Sequence, residues 1–213
     1  PIMGDSKKIN DNYLVDYTIS SAKKAKYISD VVVATDNEKT ASIVKKLGAE
    51  APFIRPENLS EEYIDVFDVV SYTVDLLEKS NRNYDAVVLL EEIYPFREEG
   101  LIDKMIMKFV NGGYDTVLAG AREKRTIWMS SSKDNNDIEL KDNIPMPSKF
   151  KEHKSMVSLV GVCCITNILS LNGKSVFAGK TGIFEITNPL SKMLIKSKEE
   201  LEIASLIDKN REV

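Results

Sequence analysis

The chain has 213 residues, 43% of them hydrophobic, so it is long enough to bury the core of one α/β domain. Its formal net charge of −4 and pI of about 5.3 argue against a nucleic-acid binder that relies on neutralising phosphates. No apolar run approaches the roughly 18 residues of a membrane span, and the single histidine, His153, excludes a multi-histidine metal site within one chain.

The first nine residues, PIMGDSKKI, form a small polar loop of the kind that binds phosphates. Gly4 allows the backbone to approach a ligand closely, Ser6 offers a hydroxyl, and Lys7 a mobile cation. Together with Asp5, these residues are predicted to bind a nucleotide. Because such a loop normally follows a buried strand, we expect an apolar strand before Pro1.

Strand-like and helix-like segments alternate along the next hundred residues. Apolar, largely β-branched runs predict strands, and apolar residues at helical spacing predict helices. The strands fall at 30–36, 86–90 and 115–120, and the helices at 14–28, 37–47, 65–79 and 100–111. This rhythm predicts a single α/β domain over 1–213, built on a doubly wound, mostly parallel sheet. Ligands of such sheets bind beyond the carboxyl ends of the strands.

Three acidic side chains lie at the ends of predicted strands or directly after them. Glu91 and Glu92 are costly to keep charged side by side, which makes sense if Mg²⁺ or a sugar hydroxyl binds there. The alternative is that they are solvated loop acids. Asp36 is a candidate nucleotide ligand, although the capping of the helix at 37–47 is the interpretation that we favour.

Arg97 stands at the end of the segment EEIYPFR, shortly after the same predicted strand. A guanidinium suits recognition of a phosphate or a carboxylate. An ion pair with Glu98 or Glu99 at the surface is the equally weighted alternative.

The alternation breaks after residue 128. Residues 130–155 are polar and loop-rich, and we predict an insertion at about 128–156 that is a possible dimerisation element. An apolar strand at 157–166 follows, with a short strand at 183–186 and a helix at 199–206. That apolar strand holds Cys163 and Cys164, whose adjacency makes a disulfide between them improbable and favours buried thiols in a reducing, cytoplasmic setting. The segment GKSVFAGKT is a near miss to a P-loop, because its spacing is wrong and a strand-like run follows it.

Several segments together resemble one family. In chain order they are PIMGDSKKI, ATDNEKTA at 34–41, GAEAPFIRP at 48–56, LLEEIYPFR at 89–97 and GYDTVLAG at 113–120. The chain resembles the acylneuraminate cytidylyltransferases, and GAEAPFIRP is the most specific single match. The resemblance implies a homodimer with one α/β domain that joins CMP from CTP to an acidic nine-carbon sugar, releases pyrophosphate and uses Mg²⁺.

The resemblance also implies roles for particular residues. The phosphates would be held by Gly4, Ser6 and Lys7, with Asn12 near the base or ribose. Lys7 and Glu91 would be catalytic, and Glu91 and Glu92 would take the metal or hydroxyl role. The sugar would be bound by Arg97, Lys149, Lys151 and Glu152.

The chain departs from the family pattern at positions that supply a positive charge or bind the metal ion. Met3 replaces the loop arginine, and Leu194 and Lys196 replace two acids that hold the metal in the family. Glu91 replaces a glutamine. These departures support a second hypothesis, a catalytically reduced homologue that binds a nucleotide or a partner without transfer. A related transferase with another nucleotide or sugar is a third.

Overall fold

The computed structural model describes residues 8–61, 64–122, 128–130, 138–140, 156–172, 175, 177 and 179–210. The α-helices are α1 (Leu14–Lys24), α2 (Glu38–Lys46), α3 (Val66–Lys79), α4 (Leu101–Gly112) and α5 (Lys198–Lys209). The strands are β1 (Lys8–Ile9), β2 (Asn12–Tyr13), β3 (Ala86–Leu89), β4 (Thr116–Arg122), β5 (Trp128–Ser130), β6 (Ile138–Leu140), β7 (Met156–Ser158), β8 (Cys164–Asn167) and β9 (Thr181–Glu185). Within these ranges no helix is long and apolar enough to cross a membrane.

The five predicted helices are present, and local chemistry explains several of their ends. Helix α4 ends at Gly113, which has a φ of +54° and so adopts the left-handed conformation that favours glycine. Helix α5 begins with a capping box, in which the side chains of Ser197 and Glu200 satisfy each other's backbone N–H groups. These signals lie within a few residues of sequence, and for this reason they are readable without the fold.

The main sheet is mixed rather than mostly parallel. Strand β8 lies antiparallel between β3 and β4, and β7 continues antiparallel along the same edge of β4. On the opposite edge, β9 pairs with β4 in parallel. The predicted α/β class is confirmed, but three of the four pairings among the described strands of this sheet are antiparallel. The physical reason is that the chain returns from a long excursion before β7, and an apolar run carries no information about its direction.

The apolar stretch 157–166 forms two strands rather than one. A turn at 159–163 separates β7 from β8, and the N–H of Val162 donates to the carbonyl of Leu159 at 3.0 Å. The turn places Gly161 against the chain that follows β3. This break places the turn in contact with Glu91, which belongs to the site described below.

Residues 30–36 are the second departure, because they form isolated bridges rather than a named strand. Val32 and Thr35 are bridged in parallel to Glu50 and Ile54. The apolar residues of this run are only half-buried, although its composition is that of a central strand. One edge of the run is therefore paired and the other faces a cavity.

Helix α5 packs on the β1–β2 hairpin at the opposite end of the chain. The Asn10 side chain donates to the Ser205 carbonyl at 3.3 Å and to the Asp208 carboxylate at 3.1 Å, and the hydroxyl of Tyr17 donates to Asp208 at 2.8 Å. A small apolar core lies beneath these bonds, made of Ile9, Leu14, Phe96, Ile195 and Ala204. The two ends of the described chain thus share one core.

Only part of the predicted insertion lies in the described residues. Strands β5 and β6 form a two-stranded antiparallel ladder, while Met156–Ser158 belongs to the main sheet. The role of the insertion as a dimerisation element stays a prediction.

Candidate functional site

Three carboxylates lie at one end of a large cavity, beyond the ends of β3 and of residues 31–35. Asp36, Glu91 and Glu92 line this end, and we call them the carboxylate rim. The cavity has a volume of about 1100 Å³, and its remaining walls are mainly aliphatic. The structure therefore brings together the strand-end acids that the sequence singled out.

Glu91 is held by its backbone and placed half inside the protein. Its N–H donates to the Gly161 carbonyl at 2.8 Å. A Cβ atom on Gly161 would lie 2.6 Å from Cδ of Glu91 and 2.7 Å from the ring of Tyr94, so a glycine is needed for this close approach. The turn between β7 and β8 thus fixes where the Glu91 carboxylate points.

The surroundings of Glu91 change its acidity. Burial raises the pKa of the Glu91 carboxyl above its ordinary value of 4.5, while the positive charges of Lys196 and Arg97 act in the opposite direction. A carboxylate that is more basic than a solvated one is a candidate acceptor for the proton of a substrate hydroxyl. Lys196 replaces an acid of the family pattern, and Glu91 replaces a glutamine. The two residues lie close enough for the charge of Lys196 to lower the pKa of Glu91.

Asp36 does not cap the following helix. Asn37 is the N-cap of α2, and its side-chain oxygen accepts from the N–H groups of Lys39 at 2.8 Å and Thr40 at 3.3 Å. The favoured interpretation of Asp36 as the cap was therefore wrong by one position. Its exposed carboxylate instead accepts from the guanidinium of Arg55 at 3.3 Å.

Arg55 is a cation of the site that the sequence reasoning missed. It follows the bridge between Thr35 and Ile54, so the pairing of the two chain segments places it beside Asp36. Its Nε also donates to the hydroxyl of Ser60 at 3.2 Å. The sequence did contain a signal for this residue, because Arg55 lies inside GAEAPFIRP, the segment that matches the family most specifically.

Arg97 is a buried structural residue, which corrects both predictions made for it. Its side chain is 7% exposed, and its five N–H groups all donate within the protein at 2.6–2.9 Å. The acceptors are the carbonyls of Glu91, Tyr94, Gly161 and Val162 and the hydroxyl of Thr18. We call Arg97 and these acceptors the arginine node. With every donor engaged, Arg97 offers nothing to a sugar carboxylate, and its burial rules out a surface ion pair with Glu98.

Arg97 remains positively charged although it is buried. Burial lowers the pKa of its guanidinium to about 10, which still leaves it protonated at neutral pH. The node therefore places a fixed positive charge directly behind the carboxylate rim, where it joins the loop after β3 to the turn before β8.

The remaining predicted residues divide into two groups. Asn12 is exposed on the β1–β2 hairpin and does not line the cavity, unlike its neighbour Tyr13, so the described geometry gives no support to its contact with a base or ribose. The others lie outside the described residues: Gly4, Asp5, Ser6, Lys7, Lys149, Lys151 and Glu152.

A protein-only metal site is not formed by the described residues. Among them, no group of three or more His, Cys, Asp or Glu side chains could hold a metal ion. The carboxyl of Glu91 is half-buried and lies within the influence of Lys196, which disfavours a divalent cation at that point. The predicted pair of Glu91 and Glu92 thus does not fit Mg²⁺ as its sole protein ligands.

The two cysteines are free and buried. Burial raises the pKa of the Cys163 thiol to about 12, so this thiol stays protonated and unreactive. Their interpretation as packing residues agrees with this environment.

Comparison with known proteins extends these observations. The family model described as "Cytidylyltransferase" matches residues 6–122, which is more than half of the chain. A pseudaminic acid cytidylyltransferase of Campylobacter jejuni is 30% identical over 118 residues, covering 52% of this chain and 51% of that protein. The chain thus spans about half the length of this relative. A CMP-N,N'-diacetyllegionaminic acid synthase of Legionella pneumophila is 27% identical over 206 residues, covering 92% of this chain and 81% of that protein.

Solved structures agree on the fold. CMP:2-keto-3-deoxy-manno-octonic acid synthetase complexed with CTP superposes with a TM-score of 0.66 at 13% identity, covering 96% of this chain and 90% of that one. A 4-diphosphocytidyl-2C-methyl-D-erythritol synthase of Anaerococcus prevotii gives a TM-score of 0.62 at 12% identity, covering 95% and 91%. The antiparallel β8 is thus compatible with an overall fold that these chains share.

Proposed function

The chain belongs to the cytidylyltransferase family, and we propose that it transfers CMP from CTP to an acidic, sialic-acid-like sugar with release of pyrophosphate. The observation that carries the proposal is the family match over residues 6–122, which includes the whole carboxylate rim. The names of the two curated relatives support a sugar of this class.

The proposed reaction is a substitution at the α-phosphorus of CTP. A sugar hydroxyl oxygen forms a bond to phosphorus, the bond to the pyrophosphate oxygen breaks, and the hydroxyl proton leaves to a base. In our proposal Glu91 accepts that proton, because its backbone N–H is anchored on the Gly161 carbonyl and the raised pKa of its carboxyl makes it more basic than a solvated carboxylate. Positioning and electrostatics supply most of the remaining acceleration.

Positive charge for the phosphates and for the sugar carboxylate comes from several sources in this proposal. Arg55 and Lys196 lie beside the rim in the described structure. The loop residues Gly4, Asp5, Ser6 and Lys7 are proposed to hold the nucleotide, and Lys149, Lys151 and Glu152 the sugar. Asp36 would then face the nucleotide with Arg55 limiting its repulsion of phosphate.

Mg²⁺ remains part of the proposal only as a companion of the nucleotide. Magnesium in proteins often takes one or two carboxylates and completes its shell with substrate phosphates and water. Because the described carboxylates do not form a metal site themselves, no step is assigned to the ion here.

A catalytic role is favoured over binding without transfer. The curated relatives that support the sugar class are named as a transferase and a synthase. The departures at Met3, Leu194 and Lys196 would then alter how the charge of the phosphates is neutralised rather than abolish transfer. A homodimer and a cytoplasmic location complete the proposal, the latter supported by two free thiols.

The decisive experiment is pyrophosphate release from each of CTP, UTP, ATP and GTP, with a panel of acidic nine-carbon sugars and with neutral sugars as controls. We expect release with CTP and at least one acidic sugar, and a CMP-sugar product by mass spectrometry. Tight binding of a nucleotide with no release under any condition would overturn the enzyme and leave the binding homologue.

A further inference from the structure

The segment just before α5 is docked on the loop that follows β3. The N–H of Ile195 donates to the Ile93 carbonyl at 2.9 Å. The side chain of Ile195 is 2% exposed and belongs to the same small apolar core as Phe96. Lys196 is the next residue, and Glu91 lies two positions before the carbonyl that accepts the bond. The docking therefore places Lys196 beside the carboxylate rim.

Lys196 combines a fixed backbone with an exposed side chain. Its N–H donates to the Oε2 atom of Glu200 at 2.6 Å, and the N–H of Ser197 donates to the same atom at 2.9 Å. Glu200 belongs to the capping box of α5, so its carboxylate is already engaged by the backbone. Among the described residues, the ammonium of Lys196 has no hydrogen-bond or ion-pair partner. Its charge is therefore available to a ligand.

The two arginines near the rim are already engaged within the described part of the chain. Arg55 pairs with Asp36 at 3.3 Å, and Arg97 directs all of its donors to the arginine node. Lys196 acts on Glu91 through its charge alone, since no salt bridge joins these two described side chains. The ammonium and the carboxylate are thus near each other but not in contact, and an anionic group of a ligand can reach the ammonium.

The electrostatics of this arrangement disfavour a divalent cation and favour a phosphate. A cation bound at Glu91 would be repelled by Lys196 and by the buried charge of Arg97. A phosphate group at the rim needs positive charge beside it, because the three carboxylates repel it. A lysine suits this task, since its ammonium is a compact charge on a flexible stem.

We propose, resting on the proposed function for the identity of the ligand, that Lys196 binds a phosphate group of the nucleotide directly. Its ammonium then supplies beside Glu91 the positive charge that a protein-bound divalent cation would otherwise supply. The consequence is that the affinity for the nucleotide depends little on Mg²⁺. In the alternative role, Lys196 would only offset the charge of Glu91 and would not touch the substrate.

The test measures the binding of CTP and of inorganic tripolyphosphate by isothermal titration calorimetry, in EDTA and in excess Mg²⁺. For the wild type we expect the dissociation constants in the two buffers to agree within about threefold. Lys196→Gln should weaken the binding of both ligands in EDTA by at least about tenfold, because a charge-assisted hydrogen bond is lost. Lys196→Arg keeps the charge and should stay within about threefold of the wild type. The matched control is Lys198→Gln, an exposed lysine two residues further on, which should change the binding by less than about twofold.

A second background separates phosphate binding from the alternative role. In the Glu91→Gln variant, the carboxylate whose charge Lys196 could offset is gone. If Lys196 binds phosphate, Lys196→Gln should still weaken the binding of tripolyphosphate by at least about tenfold in this background. Disappearance of the effect would assign Lys196 to the positioning of Glu91 and would overturn the proposal.

Two further results would also overturn it: loss of wild-type binding in EDTA, and equal effects of Lys196→Gln and Lys198→Gln. Because tripolyphosphate carries no nucleoside, it tests the phosphate site even if CMP transfer is not observed. Conversely, CMP transfer with unchanged affinities in Lys196→Gln would overturn the role of Lys196 and leave the proposed function intact. Lys196 is bonded to Glu200 through its backbone, so we expect its variants to keep the wild-type melting temperature.

Discussion

The two ends of β3 are each held by an arginine, but in opposite ways. At the carboxyl end, Arg97 is buried and donates five bonds to uncharged acceptors. At the amino end, Arg82 is partly exposed and pairs with two carboxylates. A buried guanidinium holds loops rigidly where a site needs fixed geometry, whereas exposed ion pairs give a connection that solvent and salt can weaken.

The largest effect is expected from Arg97→Lys, which keeps the charge but loses the planar arrangement of donors. Several buried carbonyls of the node would be left without partners, so the free energy of unfolding should fall by about 3–5 kcal/mol. Chemical denaturation measures this change. Arg122→Lys is the matched control, because Arg122 forms an exposed ion pair with Glu185, and it should change stability by less than about 0.5 kcal/mol. Equal effects for both variants would show that the burial of Arg97 and its five hydrogen bonds do not set its contribution to stability.

Glu91→Gln is expected to act on catalysis more than on stability. Loss of the proposed base should lower kcat by about 10²-fold while the fold is retained, as measured by pyrophosphate release. Unchanged kcat would exclude Glu91 as the base.

The same substitution has a signature in the pH dependence of stability. Because burial raises the pKa of Glu91, the native state binds more protons than the unfolded state above pH 4.5. The wild type should therefore lose stability relative to the Gln variant as pH rises from 4.5 through the raised pKa. Parallel curves over that window would contradict the raised pKa.

A third variant, Gly161→Ala, perturbs the contact between the node and the rim. The added Cβ would displace the Glu91 carboxylate and the ring of Tyr94, and we expect a loss of about 1–3 kcal/mol. In the background of Glu91→Ala, part of this loss should disappear. Strict additivity of the two changes would show that the close approach does not constrain Glu91.

The smallest effect is expected from Arg82→Ala at the other end of β3. Each exposed ion pair contributes about 0–1 kcal/mol, and the loss should shrink as salt is added. The hydrogen bonds from Tyr84 and Arg82 lower the pKa of Asp30, so these contacts stabilise the fold above pH 3.8 and are lost as pH falls through the lowered pKa. Acid titration of the wild type and the variant should therefore converge at low pH.

The local features of the fold were predictable from sequence, and the long-range ones were not. The five helices and the strands at 86–89 and 116–122 follow from periodicity and caps that lie within one element. The direction of β8, the turn at Gly161 and the unpaired edge of residues 31–35 depend on partners far away in the chain.

The site shows the same division. Placing Asp36, Glu91 and Glu92 at one edge needed only the rule that ligands bind beyond strand ends. The burial of Arg97 was not predictable, because two of its five acceptors are the carbonyls of Gly161 and Val162, supplied by a turn more than sixty residues away. The N-cap of α2 is Asn37 rather than Asp36. The capping of this helix by a short polar side chain was therefore predicted correctly, but one residue too early.

The docking of α5 on the β1–β2 hairpin affects how the protein is made. The bonds from Asn10 and Tyr17 to Ser205 and Asp208 span between 191 and 198 positions in the chain. Contacts of such long sequence separation form late, and they cannot form during synthesis until helix α5 has left the ribosome. Until then the small core beneath the hairpin stays open to solvent, so nascent chains expose Ile9 and Phe96 to chaperones and to one another.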